Sequence, residues 1–140
     1  MPVKILVIDD DSAVTDLLSL LLRSQGFEVL ATTNSTEGLS MIREHAPDVV
    51  VLDLMMPEMD GWQICKAVRE FSQVPIIILS ALNDPSMIAS VLDAGADDYL
   101  TKPTPSRVQI AHINRLVHRT GSLNSNASLN DPYTRPLPAS

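Results

Sequence analysis

The feature of this sequence that most restricts its fold is a fivefold alternation of short apolar runs with segments of helical period. The runs lie at residues 3–8, 28–31, 49–52, 75–79 and 98–100. The first, third and fourth are almost continuously apolar, which is typical of strands that are covered on both faces and therefore of a parallel sheet. Five βα units in this order predict an α/β fold, with a doubly wound, open, five-stranded parallel sheet and right-handed crossovers.

The segments between the strands begin with recognisable helix start signals. A short polar side chain there can accept a hydrogen bond from the first free amides of the helix, and proline suits the first helical position. The predicted starts are Asp11, Asn34 with Glu37, Asp60 with Gln63, Asp84 with Pro85, and Thr104 with Pro105.

The last part of the chain differs in character. From residue 120 the sequence is rich in Ser, Asn and Pro and shows no periodicity. We therefore expect one domain over residues 1–120 and a flexible tail or interdomain linker over residues 121–140.

The charge and the cysteine content exclude several classes of protein. The chain has 10 Lys+Arg against 17 Asp+Glu, a net charge of −7. Such a domain repels phosphate backbones, so we expect no direct nucleic-acid binding.

The single cysteine permits no intrachain disulfide and no zinc-ligand cluster. No apolar run approaches the roughly 18 residues of a membrane span, and strand-like sequence from Val3 leaves no room for a signal peptide. The sequence predicts a cytoplasmic protein with no membrane partner.

Polar residues stand where four of the predicted strands end. In open α/β sheets the functional groups gather at the carboxyl ends of the strands. A single Asp in such a place is more often a helix cap or a turn residue, and Asp11 is most simply a cap. The residues in question are Asp9, Asp10 and Asp11 after the first strand, Asp53 after the third, Ser80 after the fourth and Lys102 after the fifth.

Taken together, these residues have the composition of a site for a cation and an anion. Clustered carboxylates without His or Cys suit a hard divalent cation such as Mg²⁺. Lys102 and Ser80 are suited to hold an anion brought to that cation. A phosphoryl group attacked by a carboxylate fits this set.

Other kinds of phosphate and ester chemistry fit less well. The sequence has no G-x-x-x-x-G-K-[ST] loop and no G-x-G-x-x-G turn, and it lacks the G-x-S-x-G elbow. The segment that starts at Asp53 also lacks the second acid of the Asp-x-Asp pair of aspartate-nucleophile phosphatases.

Four stretches occur in a characteristic order and spacing: ILVIDDD, VVVLDLMMPEMDG, IIILSA and GADDYLTKP. With them the chain resembles, over about residues 3–119, the receiver domain of two-component response regulators. The resemblance implies a flavodoxin-like (βα)5 receiver fold with strand order 2-1-3-4-5. It also implies a signalling domain that catalyses only its own phosphorylation and dephosphorylation.

The resemblance further implies a role for each acid. Asp53 would accept the phosphoryl group from a phosphohistidine of a sensor histidine kinase or a phosphotransfer protein. Asp10, Asp53 and the main-chain carbonyl of Met55 would hold Mg²⁺ (or Mn²⁺), and Asp9 would complete the acidic pocket.

The remaining site residues would read the phosphoryl group. Ser80 would bind its oxygens and Lys102 would pair with them, after a Lys102–Pro103 peptide expected to be cis. Tyr99 matches the aromatic switch position. In the family, movement of this ring alters the face formed by the fourth helix, the fifth strand and the fifth helix. The altered face controls an output partner or an attached effector domain.

Two features qualify the resemblance. Thr104 replaces the Phe common after Lys-Pro, and the fifth helix does not closely match the DNA-binding class, so a phosphorylation-dependent homodimer through this face stays open.

The side chains two positions after the acceptor and after the hydroxyl residue, Met55 and Leu82, are apolar and unsuited to orient an attacking water. We therefore expect slow self-dephosphorylation.

Three alternatives remain at this stage. A degenerate receiver would keep the fold and bind partners without being phosphorylated, although the complete set of site residues argues against it. A flavodoxin-like FMN binder is a weaker possibility. Within the leading interpretation, the chain could be a stand-alone receiver or the N-terminal part of a longer regulator.

Overall fold

Five strands alternate with five helices along residues 2–123, the part of the chain that the computed structural model describes. The strands are β1 (Lys4–Ile8), β2 (Glu28–Thr32), β3 (Val49–Leu52), β4 (Ile76–Ser80) and β5 (Asp98–Thr101). The helices are α1 (Ser12–Ser24), α2 (Ser35–His45), α3 (Gly61–Arg69), α4 (Pro85–Asp93) and α5 (Ser106–Leu123). The predicted alternation is confirmed.

The strands form one parallel sheet in the order β2-β1-β3-β4-β5. This is the predicted fold class and strand order. In the register of the sheet Ile8 lies opposite Leu52, and Leu52 lies opposite Ile78. The central strands therefore end almost level, and the residues that follow them meet at one edge.

The sheet separates two hydrophobic cores because alternate side chains of a strand point to opposite faces. Val50 and Leu52 of β3 pack under α2, α3 and α4, whereas Val49 and Val51 pack under α1 and α5. All four are buried, which explains why this strand is apolar at every position. Within the described residues, no helix is both long and apolar enough to cross a membrane.

Most of the predicted helix starts are confirmed. The side chain of Asp11 caps α1, that of Asn34 caps α2, and that of Asp84 caps α4 ahead of Pro85. A reciprocal capping box is formed by Asp60 with Gln63.

The prediction for the fifth helix was wrong at its first residues. It placed Thr104 as the cap and Pro105 inside the helix, but α5 begins at Ser106. The carbonyl of Pro105 accepts the first helical hydrogen bonds, and the Thr104 hydroxyl donates instead to the carbonyl of Thr101. A nearby strand carbonyl thus competes successfully for the hydroxyl that the local sequence offers as a cap.

The C-terminal end of α5 lies beyond the predicted domain boundary. The helix reaches Leu123, three residues beyond the predicted boundary at residue 120. The rest of the predicted tail, residues 124–140, lies outside the described residues.

Candidate functional site

Three of the predicted site residues are positioned by the sheet itself, because the strand ladders continue one residue beyond the strands, and Ser80 is the last residue of β4. The amide of Asp53 donates to the carbonyl of Ile8 at 3.0 Å, and the amide of Lys102 donates to the carbonyl of Ser80 at 2.7 Å. Asp9 continues β1 in the same way, since its amide donates to a carbonyl of β2 at 3.2 Å. The side chains at these positions are therefore held by the backbone of the central sheet.

Three acids form a cluster at this edge. Carboxylate oxygens of Asp9, Asp10 and Asp53 lie within 4.8 Å of one another. Asp9 and Asp53 are buried and Asp10 is exposed. The carboxylate of Asp11 takes no part, because it accepts the amide of Ala13 at the start of α1, whereas the Asp11 amide donates to Oδ1 of Asp9 at 2.9 Å. The predicted role of Asp11 as a cap is confirmed.

Lys102 supplies the positive charge of the site. Its Nζ lies 2.7 Å from Oδ2 of Asp9 and 3.6 Å from Oδ2 of Asp53. Burial disfavours the charged lysine, but the hydrogen bond to Asp9 and the charges of both acids outweigh that effect and raise the pKa of Lys102. The Lys102–Pro103 peptide is cis, as predicted. One cation therefore faces two buried carboxylates.

The carboxyl group of Asp53 is incompletely neutralised. Burial and the charge of Asp9 raise its pKa above the ordinary value. Lys102, the amide of Met55 and the hydroxyl of Ser80 act in the opposite direction but do not cancel the effect. The Met55 amide lies 3.3 Å from Oδ1 of Asp53. An all-oxygen cluster with excess negative charge fits a hard divalent cation, so the residues present are suited to Mg²⁺.

A short chain of contacts leads from the site to Tyr99. The Ser80 hydroxyl accepts a hydrogen bond from the amide of Leu82 at 3.3 Å. The carbonyl of the same Leu82 accepts one from the Tyr99 hydroxyl at 2.5 Å. Burial raises the pKa of Tyr99 above its ordinary value. Leu82 therefore links the hydroxyl of the site to the half-buried aromatic ring.

The loop between β3 and α3 contains contacts that sequence reasoning missed. Its base is closed by the amide of Gly61, which donates to the carbonyl of Leu54 at 3.0 Å. A Cβ on Gly61 would lie 2.9 Å from the Cα of Leu54, so only glycine fits there without movement. Near its other end, Pro57 and Met59 are bonded to the hydroxyl of Ser35, the first residue of α2. No local pattern at Ser35 indicates a contact with residues 22 and 24 positions away.

The sequence matches one described protein family over most of its length. The family, described as "Response regulator receiver domain", matches residues 5–114. All of the clustered site residues lie within this range.

Similar curated proteins include transcriptional regulators. The transcriptional regulatory protein AfsQ1 of Streptomyces coelicolor is 42% identical over 116 residues, which cover 83% of this chain and 52% of AfsQ1. The DNA-binding response regulator MtrA of Mycolicibacterium paratuberculosis is 38% identical over 116 residues, with the same coverage of 83% and 52%. The chain therefore spans about half the length of these curated relatives.

Similar solved structures are nearly the same size as the described fold. The receiver domain of the Francisella response regulator 1452 superposes with a TM-score of 0.80 at 36% identity, covering 84% of this chain and 98% of that one. A two-component response regulator from Clostridium difficile superposes with a TM-score of 0.82 at 29% identity, covering 88% and 99%.

Proposed function

Since the chain belongs to the receiver domains of two-component response regulators, we propose that Asp53 is the residue on which it is phosphorylated. The phosphoryl donor would be the phosphohistidine of a sensor histidine kinase or of a phosphotransfer protein. The observation that carries this assignment is the position of Lys102, whose Nζ lies 2.7 Å from Asp9 and 3.6 Å from Asp53 at the edge of the sheet. In the phosphorylated domain, phosphoryl oxygens would pair with that ammonium group, because lysine forms charge-assisted hydrogen bonds with phosphate as well as with carboxylate.

The transfer itself requires little of the protein beyond position and charge. An Asp53 carboxylate oxygen attacks the phosphorus, the new oxygen–phosphorus bond forms, and the phosphorus–nitrogen bond to the donor histidine breaks. The histidine nitrogen keeps the electron pair of that bond. Lys102 pairs with the phosphoryl oxygens, and the Ser80 hydroxyl donates to one of them.

The acidic cluster is the proposed site of Mg²⁺ (or Mn²⁺). Asp10, Asp53 and the main-chain carbonyl of Met55 would hold the cation, and Asp9 would complete the pocket. Bound there, the cation supplies charge neutralisation between the carboxylates and the incoming phosphoryl oxygens. The raised pKa of Asp53 is in keeping with this assignment: burial and the charge of Asp9 disfavour its charged form, and a bound cation would favour it.

The proposed switch is the chain of contacts from Ser80 through Leu82 to Tyr99. The phosphoryl group adds about −1.5 to −2 charges. When the Ser80 hydroxyl turns toward it, the amide of Leu82 loses its acceptor, and the carbonyl that holds the Tyr99 hydroxyl moves with the same residue. The face around Tyr99, on α4, β5 and α5, would then present a different surface to an output partner.

The output and the context of the domain are also proposals. Relatives of which the matched residues cover only about half are named as transcriptional or DNA-binding regulators, which supports an effector domain attached beyond residues 121–140 as the output. Direct nucleic-acid binding by the receiver itself is not expected at a net charge of −7. The cytoplasmic location and the absence of any further enzymatic activity belong to the same proposal.

Phosphorylation by acetyl phosphate with Mg²⁺, followed by phosphate-affinity electrophoresis, tests the proposal. We expect a retarded band for the wild-type chain and none for Asp53→Ala. If the wild-type chain gives no retarded band, the domain is a degenerate receiver. If Asp53→Ala is retarded as strongly as the wild type, the acceptor is another residue. The absence of flavin absorbance in the purified protein would eliminate the FMN-binding alternative.

A further inference from the structure

The loop that follows Asp53 is tied to helix α2 by one side chain, Ser35. Its hydroxyl donates to the carbonyl of Pro57 at 3.1 Å and accepts from the amide of Met59 at 3.2 Å. Ser35 is only 2% exposed, so water does not compete for these bonds. Within residues 2–123, the other hydrogen bonds of residues 55–59 are local: the Met55 amide donates to Oδ1 of Asp53 at 3.3 Å, and the Met59 amide donates to the Pro57 carbonyl.

The two bonds enclose an unusual turn. The amide of Met59 also donates to the carbonyl of Pro57 at 2.9 Å, and the residue between them, Glu58, has φ +71°. An i to i+2 hydrogen bond with positive φ at the middle residue is the pattern of the γ-turn that is rare and strained. A non-glycine residue adopts such a backbone only where the surroundings hold it. Ser35 bonds to both ends of this turn.

The turn is one of the anchors of the segment that carries Met55, beside the buried side chains of Leu54 and Met56. That segment is fixed at one end by Asp53 and the bond between Gly61 and Leu54, and at the other by the turn. Between these points Met55 is 57% exposed. Without the hydroxyl of Ser35, the turn would relax and the position of the Met55 carbonyl would become less defined.

We infer that Ser35 is a positioning residue of the phosphorylation site, which holds the β3–α3 loop so that the Met55 carbonyl is preorganised for the divalent cation. This inference rests on the proposed function, in which that carbonyl is a ligand. Ser35 contacts neither the cation nor the phosphoryl group and acts only through the turn at Glu58. Preorganised ligands bind more tightly because fewer competing conformations must be abandoned on binding.

The test compares Mg²⁺ affinity in three versions of the 140-residue chain by calorimetric titration: wild type, Ser35→Ala and Thr36→Ala. Thr36 is the matched control, because its hydroxyl lies next in α2 but donates to the cap residue Asn34 at 2.7 Å and is exposed. Ser35→Ala removes both hydrogen bonds of the hydroxyl, and we expect a part equal to one bond of ordinary strength to appear in the Mg²⁺ dissociation constant, as an increase of about fivefold. Thr36→Ala should bind Mg²⁺ as the wild type does.

A merely structural role would give a different pattern. If Ser35→Ala lowers the urea midpoint but leaves the Mg²⁺ affinity at the wild-type value, the inference is wrong. Amide hydrogen exchange in the wild-type chain gives a test without a variant. The amide of Met59 should exchange more slowly than that of Glu58, and equal rates would overturn the inference.

The inference and the proposed function fail in distinguishable ways. If the wild-type chain neither binds Mg²⁺ nor takes up a phosphoryl group, the proposed function fails first and the inference falls with it. If the wild-type chain does both and Ser35→Ala binds Mg²⁺ equally well, only the inference fails.

Discussion

Replacing Asp53 by Asn should stabilise the metal-free domain, although it removes the proposed phosphoacceptor. Asp53 is 7% exposed and lies near a second buried carboxylate, that of Asp9. Asparagine has nearly the same shape and can still accept the hydrogen bond from the Met55 amide. The substitution therefore removes the charge while it leaves the packing almost unchanged.

The magnitude follows from opposing electrostatic effects. With an effective dielectric constant of about 20, repulsion from Asp9 within 4.8 Å amounts to at least about 3.5 kcal/mol. On the same basis, attraction to Lys102 at 3.6 Å amounts to about 4.6 kcal/mol. These two nearly cancel, so the desolvation of the buried carboxylate, several kcal/mol per ion before hydrogen bonds offset part of it, decides the sign. We expect Asp53→Asn to raise the free energy of unfolding at pH 7 by about 1–2 kcal/mol, or the melting temperature by about 3–8 °C.

The effect should depend on pH in a defined direction. The pKa of Asp53 is raised in the folded protein above its ordinary value of 3.8. For such a group, the favourable contribution is present in full below 3.8 and is lost as the pH rises through the folded-state pKa. The advantage of Asp53→Asn should therefore be largest at neutral pH and should shrink as the pH falls toward 4.

Urea unfolding followed by circular dichroism, in buffer with a chelator to keep the domain metal-free, measures this difference. Asp97→Asn is the matched control: its carboxylate accepts the amide of Ile76 at 2.8 Å and pairs with Arg69 at 3.0 Å. Neutralising that acid should destabilise the domain by about 1 kcal/mol, the opposite sign. A stability of Asp53→Asn at pH 7 equal to or lower than that of the wild type would refute the reasoning.

Three further predictions concern the loop and the switch. Met55→Asn should shorten the half-life of the phosphorylated domain, because the side-chain amide of asparagine can orient an attacking water. A wild-type half-life of seconds in a radiolabel decay assay would contradict the expected slow self-dephosphorylation. Gly61→Ala should lower the free energy of unfolding by about 1–3 kcal/mol, since the new Cβ would lie 2.9 Å from the Cα of Leu54; an unchanged urea midpoint would show that the loop yields freely. Tyr99→Phe should lower the free energy of unfolding by about 1 kcal/mol, because it removes the hydrogen bond to the Leu82 carbonyl. Nuclear magnetic resonance should show that the chemical shift of the Leu82 amide differs from that of the wild type, and an unchanged chemical shift there would count against the switch.

Much of the fold follows from local properties of the sequence. Strands buried on both faces must be apolar at every position, so the run from Val49 to Leu52 indicates β3 and the parallel sheet directly. Caps depend on residues two or three positions apart, which is why Asp11 and Asp60 were predicted correctly. Thr104 was not, because its hydroxyl found a partner in the strand before it.

The site divides along the same line. The sequence predicts which residues meet at the site, because a parallel sheet brings the residues that end its strands to one edge. These residues are Asp9, Asp53, Ser80 and Lys102. The distances between their charged groups could not be predicted, since the ion pair of Lys102 with Asp9 joins residues 93 positions apart in the sequence. Whether a carboxylate there is neutralised depends on those distances, and so does the direction of its pKa shift.

The sequence by itself determined the order of the strands and helices, the edge of the sheet that carries the chemistry, and the residue types gathered there. It did so because periodicity, caps and the ends of apolar runs are properties of neighbouring residues. Only the tertiary structure decided that Lys102 lies between two buried acids, that Leu82 joins Ser80 to Tyr99, and that Ser35 holds the turn at Glu58. Each of these depends on contacts between residues distant in sequence, which form only when the packed helices and the sheet bring them together.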